Sequence, residues 1–377
     1  MKSKVVLIPC SAYEEEQVYE KMKEGLELLG GIQSFIRPEE KVLIKLNLVR
    51  SAPVERAVTT HPAVAAALAR ILKEEGYGNV RAGDSCGFGS PVKIMQETGM
   101  AAAFEKYGVS MAEFKEAVRV EYPEGVHAKT FMMAKDVCEA DALISVSKMK
   151  THALEHITGA VKNQYGCVQG LHKAKGHTVY PSPESFGRML VDLNRKVNPR
   201  LYIMDGIVAM EGNGPTSGDP VPMNVLLFST DPVALDSVFC HLISLNPDLV
   251  PTNVCGEQMG LGTWQEEQIE LVTPEGVISL EKAAKLYGNP HFRVNRKREK
   301  IQGWMGAFRI FKIFQRKPRI LADRCKKCGI CVESCPVEGK AISFANGRKE
   351  PPVYNYKKCI RCFCCQEMCP HKAIKVK

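Results

Sequence analysis

No run of about twenty apolar residues occurs in the chain, which excludes a membrane-spanning helix of ordinary length. Aromatic residues are few, at 7% with two tryptophans, and no nucleic-acid-binding motif is present, so no nucleic-acid partner is expected. No G-x-G-x-x-G follows a strand, so the usual flavin or nicotinamide fingerprint is missing. Charge of neither sign dominates. The formal net charge is +9, a mild excess. The opening residues, with Val5 to Ile8 as a short apolar run, lack the length and cleavage site of a secretory signal. They read as a buried first strand, and a cytoplasmic protein is expected.

Cysteine, by contrast, is abundant. Fifteen cysteines in a cytoplasmic chain point to metal or redox chemistry and not to disulfides. Eight of them fall in two copies of one pattern. Cys325, Cys328, Cys331 and Cys335 precede Pro336, and Cys359, Cys362, Cys365 and Cys369 precede Pro370. This C-x-x-C-x-x-C-x-x-x-C-P spacing resembles the two-cluster bacterial ferredoxins. A thiolate at every third residue wraps three corners of one iron–sulfur cube. The fourth cysteine lies beyond the turn and points at the other cube. The expected ligand sets are therefore Cys325, Cys328, Cys331 and Cys369 for one [4Fe–4S] cluster, and Cys359, Cys362, Cys365 and Cys335 for the second. Zinc knuckles also use paired cysteines, but a third cysteine at the same spacing and a fourth before proline do not suit a closed four-ligand site. Lys340-Ala341-Ile342 and Lys372-Ala373-Ile374 extend the repeat, so two half-domains should pack about a pseudo-two-fold axis. With both clusters bound, eight thiolates against two cores of about +2 each bring the net charge to roughly +5. The resemblance implies one-electron transfer and covers only the C-terminal part of the chain. Of the other cysteines, Cys364 sits inside the second cluster loop and is expected to pack beside the cube.

Residues 1–290 alternate apolar runs with amphipathic stretches. Strands are expected at 4–10, 41–48, 79–82, 118–122, 141–146, 201–204 and 225–229. Helices are expected at 14–29, 61–75, 91–106, 183–197 and 231–243, with short ones at 256–261 and 280–287. Asp231 is the expected N-cap of the helix that Pro232 opens. Strands separated by helices predict an α/β domain, a mostly parallel sheet with flanking helices. A small α+β two-cluster domain should follow at 318–377, after a basic and aromatic linker at 291–317. Within that linker, residues 301–314 carry Trp304, Phe308, Phe311 and Phe314 among basic residues. This stretch is either a surface helix on a membrane or partner or a linker helix packed between the domains. Its glycines favour the second.

Polar clusters follow the apolar runs: Lys45 and Asn47, then Gly83-Asp84-Ser85, then Lys148, Lys150 and His152, then Asp205 and Glu211, then Ser229 to Pro232. In open parallel sheets ligands bind beyond the carboxyl ends of strands, so these five sets should meet in one crevice. The richest segment runs from Lys148 to His177 and also holds His156, Lys162, Asn163, His172, Lys173 and Lys175. Three readings of it are open. It is an anion site built from lysines and glycine backbone, a metal site with His152 and His156 on one helix face, or a solvated surface. Lys150 or His152 would supply the proton that most reductions need. The candidate catalytic residues are Lys150, His152 and Lys162. The candidate substrate-binding residues are Lys45, Asn47, Asp84, Lys148, Asn163 and Glu211. The loop Glu211 to Pro215 is either a ligand clamp or a turn.

Taken together, K-x-N at 45–47, T-H-P at 60–62, G-D-S at 83–85, K-x-K-T-H at 148–152, T-G-A-V-K-N-x-x-G at 158–166, D-G-I-x-A-M-E-G-N-G-P at 205–215 and S-T-D-P-V-A-L-D at 229–236 are similar to the domain-of-unknown-function family 362. Members of that family often end in a ferredoxin module, so the resemblance implies this architecture and no settled reaction. The order of His, Lys and Gly around residues 148–177 also resembles, more loosely, the nickel-pincer lactate racemases. Three functions fit these observations. One is a reductase whose clusters, fed by an external ferredoxin-like donor, exchange electrons with a small anionic substrate. The second is an electron carrier or scaffold without chemistry of its own. In the third, the α/β domain holds a metal or organometallic cofactor. The first requires one cluster to face residues 148–177.

Overall fold

Apolar runs in the first 280 residues pair into one sheet, and short runs near the C-terminus make two small ones. The computed structural model describes residues 2–87, 89–297 and 315–377. The strands are β1 (Ser3–Pro9), β2 (Val42–Lys45), β3 (Val80–Gly83), β4 (Ser110–Met111), β5 (Ala117–Glu121), β6 (Thr130–Ala134), β7 (Ala142–His152), β8 (His156–Thr158), β9 (Leu201–Glu211) and β10 (Asp219–Ser229). They continue with β11 (Ile269–Thr273), β12 (Gly276–Ile278), β13 (Pro318–Ile320), β14 (Ile342–Ser343), β15 (Val353–Tyr354) and β16 (Ile374–Val376). The large sheet runs β12-β11-β1-β10-β9-β7-β2-β3-β4, with β8 folded back on β7. From β9 to β4 every pair is parallel, whereas β10 runs against both β9 and β1. β5 and β6 form a separate hairpin.

Alternation along the strands sends side chains to both faces. Val6 and Ile8 join Val18, Met22, Leu68 and Leu72 of the helices Glu15–Leu29 and Pro62–Glu74. Val5 and Leu7 join Leu235 and Phe239 of the helix Pro232–Leu242 on the opposite face. Each such buried side chain contributes about 1.5–3 kcal/mol relative to exposure. The helix starts follow local chemistry: Asp231 caps Val233 and Ala234, Ser182 caps Ser185, and proline follows each cap.

Several expected elements change length. Residues 91–106 form two helices, Pro91–Glu97 and Met100–Tyr107, because Gly99 takes a φ of 83° between them. The expected 256–261 helix begins earlier, as Pro251–Gln258. β7 runs to His152 and not to Val146, with all eleven residues buried, and β9 and β10 are likewise eleven residues long. His152 and His156 therefore do not share a helix face. They are a cross-strand pair in the β7–β8 hairpin, which removes the geometric basis of the two-histidine metal reading.

The C-terminal residues 315–377 show the predicted duplication. β13 pairs with β16 and β14 with β15, so each half exchanges a strand with the other. The Ala341 N–H reaches Cys335 Sγ at 3.3 Å and the Ala373 N–H reaches Cys369 Sγ at 3.4 Å. Through the cysteine loops residues 34 apart are equivalent, as Cys325 and Cys359 are, and two extra residues in the first copy make the interval 32 at Ala341 and Ala373. The stretch 301–314, with its candidate linker or membrane helix, lies outside the described residues. Next to it, Phe292 is buried in the large core and Arg293 pairs with Glu211 and Asp219, so the start of the expected linker belongs to the α/β body.

Candidate functional site

A cavity of about 420 Å³ lies between the α/β body and the cysteine-rich domain. That volume is within the range of small-ligand sites. Its floor is the carboxyl end of the parallel strands. Lys45 ends β2, Asp84 follows β3, and His152 ends β7. Asn47, Thr158, Lys162, Asn163, Lys173 and His177 complete its polar lining. Its roof consists of Ile330, Glu333 and Ser334 with Cys364, Glu367 and Met368. These are three pairs related by the 34-residue repeat, so the cavity lies beneath the pseudo-two-fold axis.

Beneath the cavity runs a buried hydrogen-bond network. Lys45 Nζ lies 2.8 Å from Asp84 Oδ1 and donates to Asn163 Oδ1 at 3.0 Å. Asn47 donates to the same Asn163 oxygen at 3.0 Å, and Lys150 Nζ donates to Asn47 Oδ1 and to the Val58 carbonyl, both at 2.7 Å. Asn163 in turn donates to Ser145 Oγ at 3.0 Å. Lys150 has no carboxylate partner among the described residues. Burial, reinforced by Lys148 and Lys162, pushes its amine far below the ordinary lysine range. It donates to Asn47 and fixes that side chain, and it is not among the residues that line the cavity. Gly166 lets the backbone approach the network: a Cβ there would meet Asp84 Oδ1 at 1.9 Å.

His152 holds two backbone donors on Nδ1, from Leu154 and Glu155, both at 3.1 Å. Its remaining proton is thus assigned to Nε2, which faces Glu367 Oε1 of the roof at 2.9 Å. Burial lowers the imidazole pKa, so it is neutral. Burial alone would raise the Glu367 carboxyl, but the His152 N–H facing it and the Lys162 charge outweigh burial and hold the group below the ordinary carboxylate range. Lys162 has no hydrogen bond or ion pair among the described residues. Its ammonium stands 5.2 Å from the Tyr165 ring and 5.9 Å from the Phe186 ring. Thr158 Oγ1 and His177 Nδ1 are buried and also lack a hydrogen-bond partner among the described residues. Burial lowers His177 to about 4 and Lys173 to about 8. Lys173 donates to the Ser85 carbonyl.

The five expected polar sets do not all meet. Lys45, Asn47, Asp84, His152, Lys162 and Asn163 converge. Lys148 points elsewhere, to Asp205 at 2.8 Å and Tyr13 at 2.7 Å, where His61 stacks on Tyr13. Glu211 is held by Arg293 at 2.6 Å. Asp231 lies at the opposite end of the sheet because β10 runs antiparallel to β9, and there it caps a helix and accepts from Ser3 at 2.6 Å. Sequence reasoning missed Glu367 and Thr158. A carboxylate inside a cluster loop was the available signal for Glu367.

The loop after Glu211 is neither a ligand clamp nor an idle turn; it docks the cysteine-rich domain. Gln366 donates to the carbonyls of Asn213 and Gly214 at 2.9 and 3.1 Å, Thr216 to that of Glu367 at 2.6 Å, and Lys372 pairs with Asp219 at 3.1 Å. Two further small cavities lie inside that domain. One is lined by Cys325, Cys328, Cys331 and Cys369, the other by Cys335, Cys359, Cys362 and Cys365. Each brings four thiols together, three from one half and one from the other, a donor set that fits a cubane.

Comparison with known proteins agrees with this division. Residues 317–370 match the 4Fe-4S dicluster domain, so the chain carries two [4Fe–4S] clusters and is an iron–sulfur protein of the electron-transfer kind. Over 262 residues it is 34% identical to Thylakoid-associated protein sll1697 of Synechocystis sp., covering 69% of this chain and 81% of that protein. A 91-residue match at 33% identity, covering 20% of this chain and 14% of the other, is to one subunit of the H(2):CoB-CoM heterodisulfide,ferredoxin reductase of Methanothermobacter thermautotrophicus. Among solved structures, the lactate racemase apoprotein from Thermoanaerobacterium thermosaccharolyticum aligns with a TM-score of 0.44 at 13% identity, over 63% of this chain and 57% of that one. A Thermotoga maritima protein aligns with a TM-score of 0.35 at 12% identity, over 58% and 56%. The chain thus spans a little over half of each solved structure. No helix among the described residues is long and apolar enough to cross a membrane. Residues 42–241 match the family described as Domain of unknown function (DUF362), and the chain belongs to that family.

Proposed function

We propose that this protein is an iron–sulfur oxidoreductase in which two clusters exchange single electrons with a small anionic substrate held between the domains. Cys325, Cys328, Cys331 and Cys369 hold one cluster, and Cys359, Cys362, Cys365 and Cys335 the other. The observation that carries the reading is the cavity itself. Its roof helices, Ile330–Glu333 and Cys364–Glu367, also carry Cys331 and Cys365. A bound molecule therefore lies against both cluster loops.

The chain's own residues supply binding and positioning. Lys162 is the cation that receives the anionic end, with Thr158 Oγ1 and His177 as hydrogen-bond partners. Lys45, Asn47 and Asn163 shape the floor, and Lys150 positions Asn47 from behind. Asp84 holds Lys45 in place. His152 anchors the roof through Glu367. The acidic roof residues Glu333 and Glu367 direct the anionic end toward the floor. Lys173 is the proton source nearest neutrality. The clusters supply one-electron transfer, and an external ferredoxin-like donor supplies the electrons. A cytoplasmic location belongs to the same proposal. The Synechocystis relative is described as thylakoid-associated, whereas the glycines of the basic, aromatic stretch 301–314 favour a linker between the domains over a helix resting on a membrane.

The test is anaerobic reduction followed by a panel of small carboxylates and phosphates. At least one should reoxidise the clusters faster than buffer, and Lys162→Ala should remove that acceleration while keeping cluster content. If no compound accelerates reoxidation, or if Lys162→Ala leaves the acceleration intact, the carrier reading replaces this one.

A further inference from the structure

The duplicated domain carries an internal comparison, because a residue near one cluster site has an equivalent near the other, 34 positions away through the cysteine loops and 32 at the Lys-Ala-Ile runs that follow. Most equivalents match. Each fourth cysteine receives one backbone N–H, from Ala341 at 3.3 Å or Ala373 at 3.4 Å.

Several lining pairs differ, among them Lys326 and Ile360, Gly329 and Phe363, and His371 and Val337, but one difference places a hydrogen-bond donor on a ligand sulfur. Tyr354 lines the cavity of Cys335, Cys359, Cys362 and Cys365, and its hydroxyl donates to Cys365 Sγ at 3.2 Å. Its equivalent, Ile320, lines the cavity of Cys325, Cys328, Cys331 and Cys369 and has no proton to donate. Solvent access differs too. Cys325 and Cys328 are half-buried, while the other six ligand cysteines are buried.

A hydrogen bond to a cluster-bound thiolate stabilises the reduced, more negative state and raises the reduction potential. We propose that Tyr354 makes the cluster held by Cys335, Cys359, Cys362 and Cys365 the higher-potential member of the pair, so that an electron taken up at the solvent-facing cluster comes to rest at the buried one. The external donor loses that electron, and no proton or bond changes hands in the relay. The resting place adjoins the substrate cavity, since Cys364, next to the ligand Cys365, lines it. Only this last consequence rests on the proposed function.

Solvent exposure at Cys325 and Cys328 also tends to change a potential, so substitution must isolate the phenol. The experiment is a redox titration of the full, cluster-loaded protein followed by paramagnetic resonance, with no substrate present. Two reduction waves are expected. Tyr354→Phe should lower the upper wave and leave the lower one in place. Ile320→Tyr, placing a phenol at the equivalent site, should raise the lower wave. The proposal is overturned by coincident waves in the unaltered protein, by a Tyr354→Phe variant with both waves unmoved, or by a fall of the lower wave alone. If Tyr354→Phe fails to load its clusters, the response of the lower wave to Ile320→Tyr decides the matter. Because no substrate is used, these results are independent of whether the cavity binds an anion.

Discussion

His152 Nε2 and Glu367 Oε1, 2.9 Å apart, join the floor of the cavity to its roof. The contact spans two domains whose other hydrogen bonds mostly involve the 211–219 loop. Removing the carboxylate leaves a buried imidazole N–H without a partner, at a cost of about 1–3 kcal/mol. Glu367→Ala should lower the unfolding midpoint by several degrees, roughly 2–4 °C for each kcal/mol. Glu367→Gln keeps an acceptor at the same place and should lose much less. Equal losses in the two variants, measured by anaerobic calorimetry, would show that the bond does not hold the domains together.

Cys364 offers a sharp test of the ligand assignment. It lies between Cys362 and Cys365, yet its repeat equivalent is Ile330 and its side chain faces the substrate cavity. Cys364→Ser should retain about eight irons per chain, and Cys365→Ser should fall toward about four. Iron and acid-labile sulfide on protein purified without oxygen read the difference. Loss of a cluster in Cys364→Ser with Cys365→Ser intact would reverse the assignment.

Much of this arrangement was legible because covalent spacing dictates it. The eight cysteines, the duplicated halves, the cap at Asp231 and the alternation of strands with helices depend on local sequence. The fate of Lys148 and Lys150 was not legible. The run Ser147-Lys148-Met149-Lys150-Thr151-His152 looks like an exposed loop, and only tertiary partners turn it into a wholly buried strand. Asp205 pairs with one lysine, while Asn47 and the Val58 carbonyl accept from the other. Whether Glu211 met ligand or protein depended on Arg293, some eighty residues away. The expected convergence of strand ends holds for β2, β3 and β7 and fails for β10, because strand direction is not encoded in an apolar run.

Gly166 tests how tightly the floor is built. A methyl group there would lie 1.9 Å from Asp84 Oδ1 and 2.3 Å from Lys45 Nζ, neither of which can yield without breaking the buried pair. Gly166→Ala should destabilise the protein by about 1–3 kcal/mol or more. It should also abolish reoxidation by the anionic substrate, with both clusters retained. An unchanged urea midpoint would mean that the helix Ala160–Asn163 and its following turn shift freely, contrary to a tightly packed floor.

Glu155 connects stability to pH. It is fully buried in the β7–β8 hairpin, and neither carboxyl oxygen has a hydrogen-bond partner among the described residues. Burial raises its pKa from 4.5 to about 8, with Lys162 offsetting only part of the shift. Between these values the folded chain retains a proton that the unfolded chain has released, so stability must fall as pH rises. The contribution is complete below the unfolded value and is lost as pH climbs toward and through the folded one, on the order of 4 kcal/mol in all. Asp236, raised to about 7 by burial, adds a slope of the same sign. Glu155→Gln keeps the shape and removes the titration. It should match the unaltered protein near pH 5 and exceed it at pH 8.5, with the remaining slope due to Asp236. Urea midpoints at the two pH values decide the point: an equal shift at both would mean that Glu155 is ionised in the fold, and an unaltered midpoint at both would mean that it does not titrate in this range.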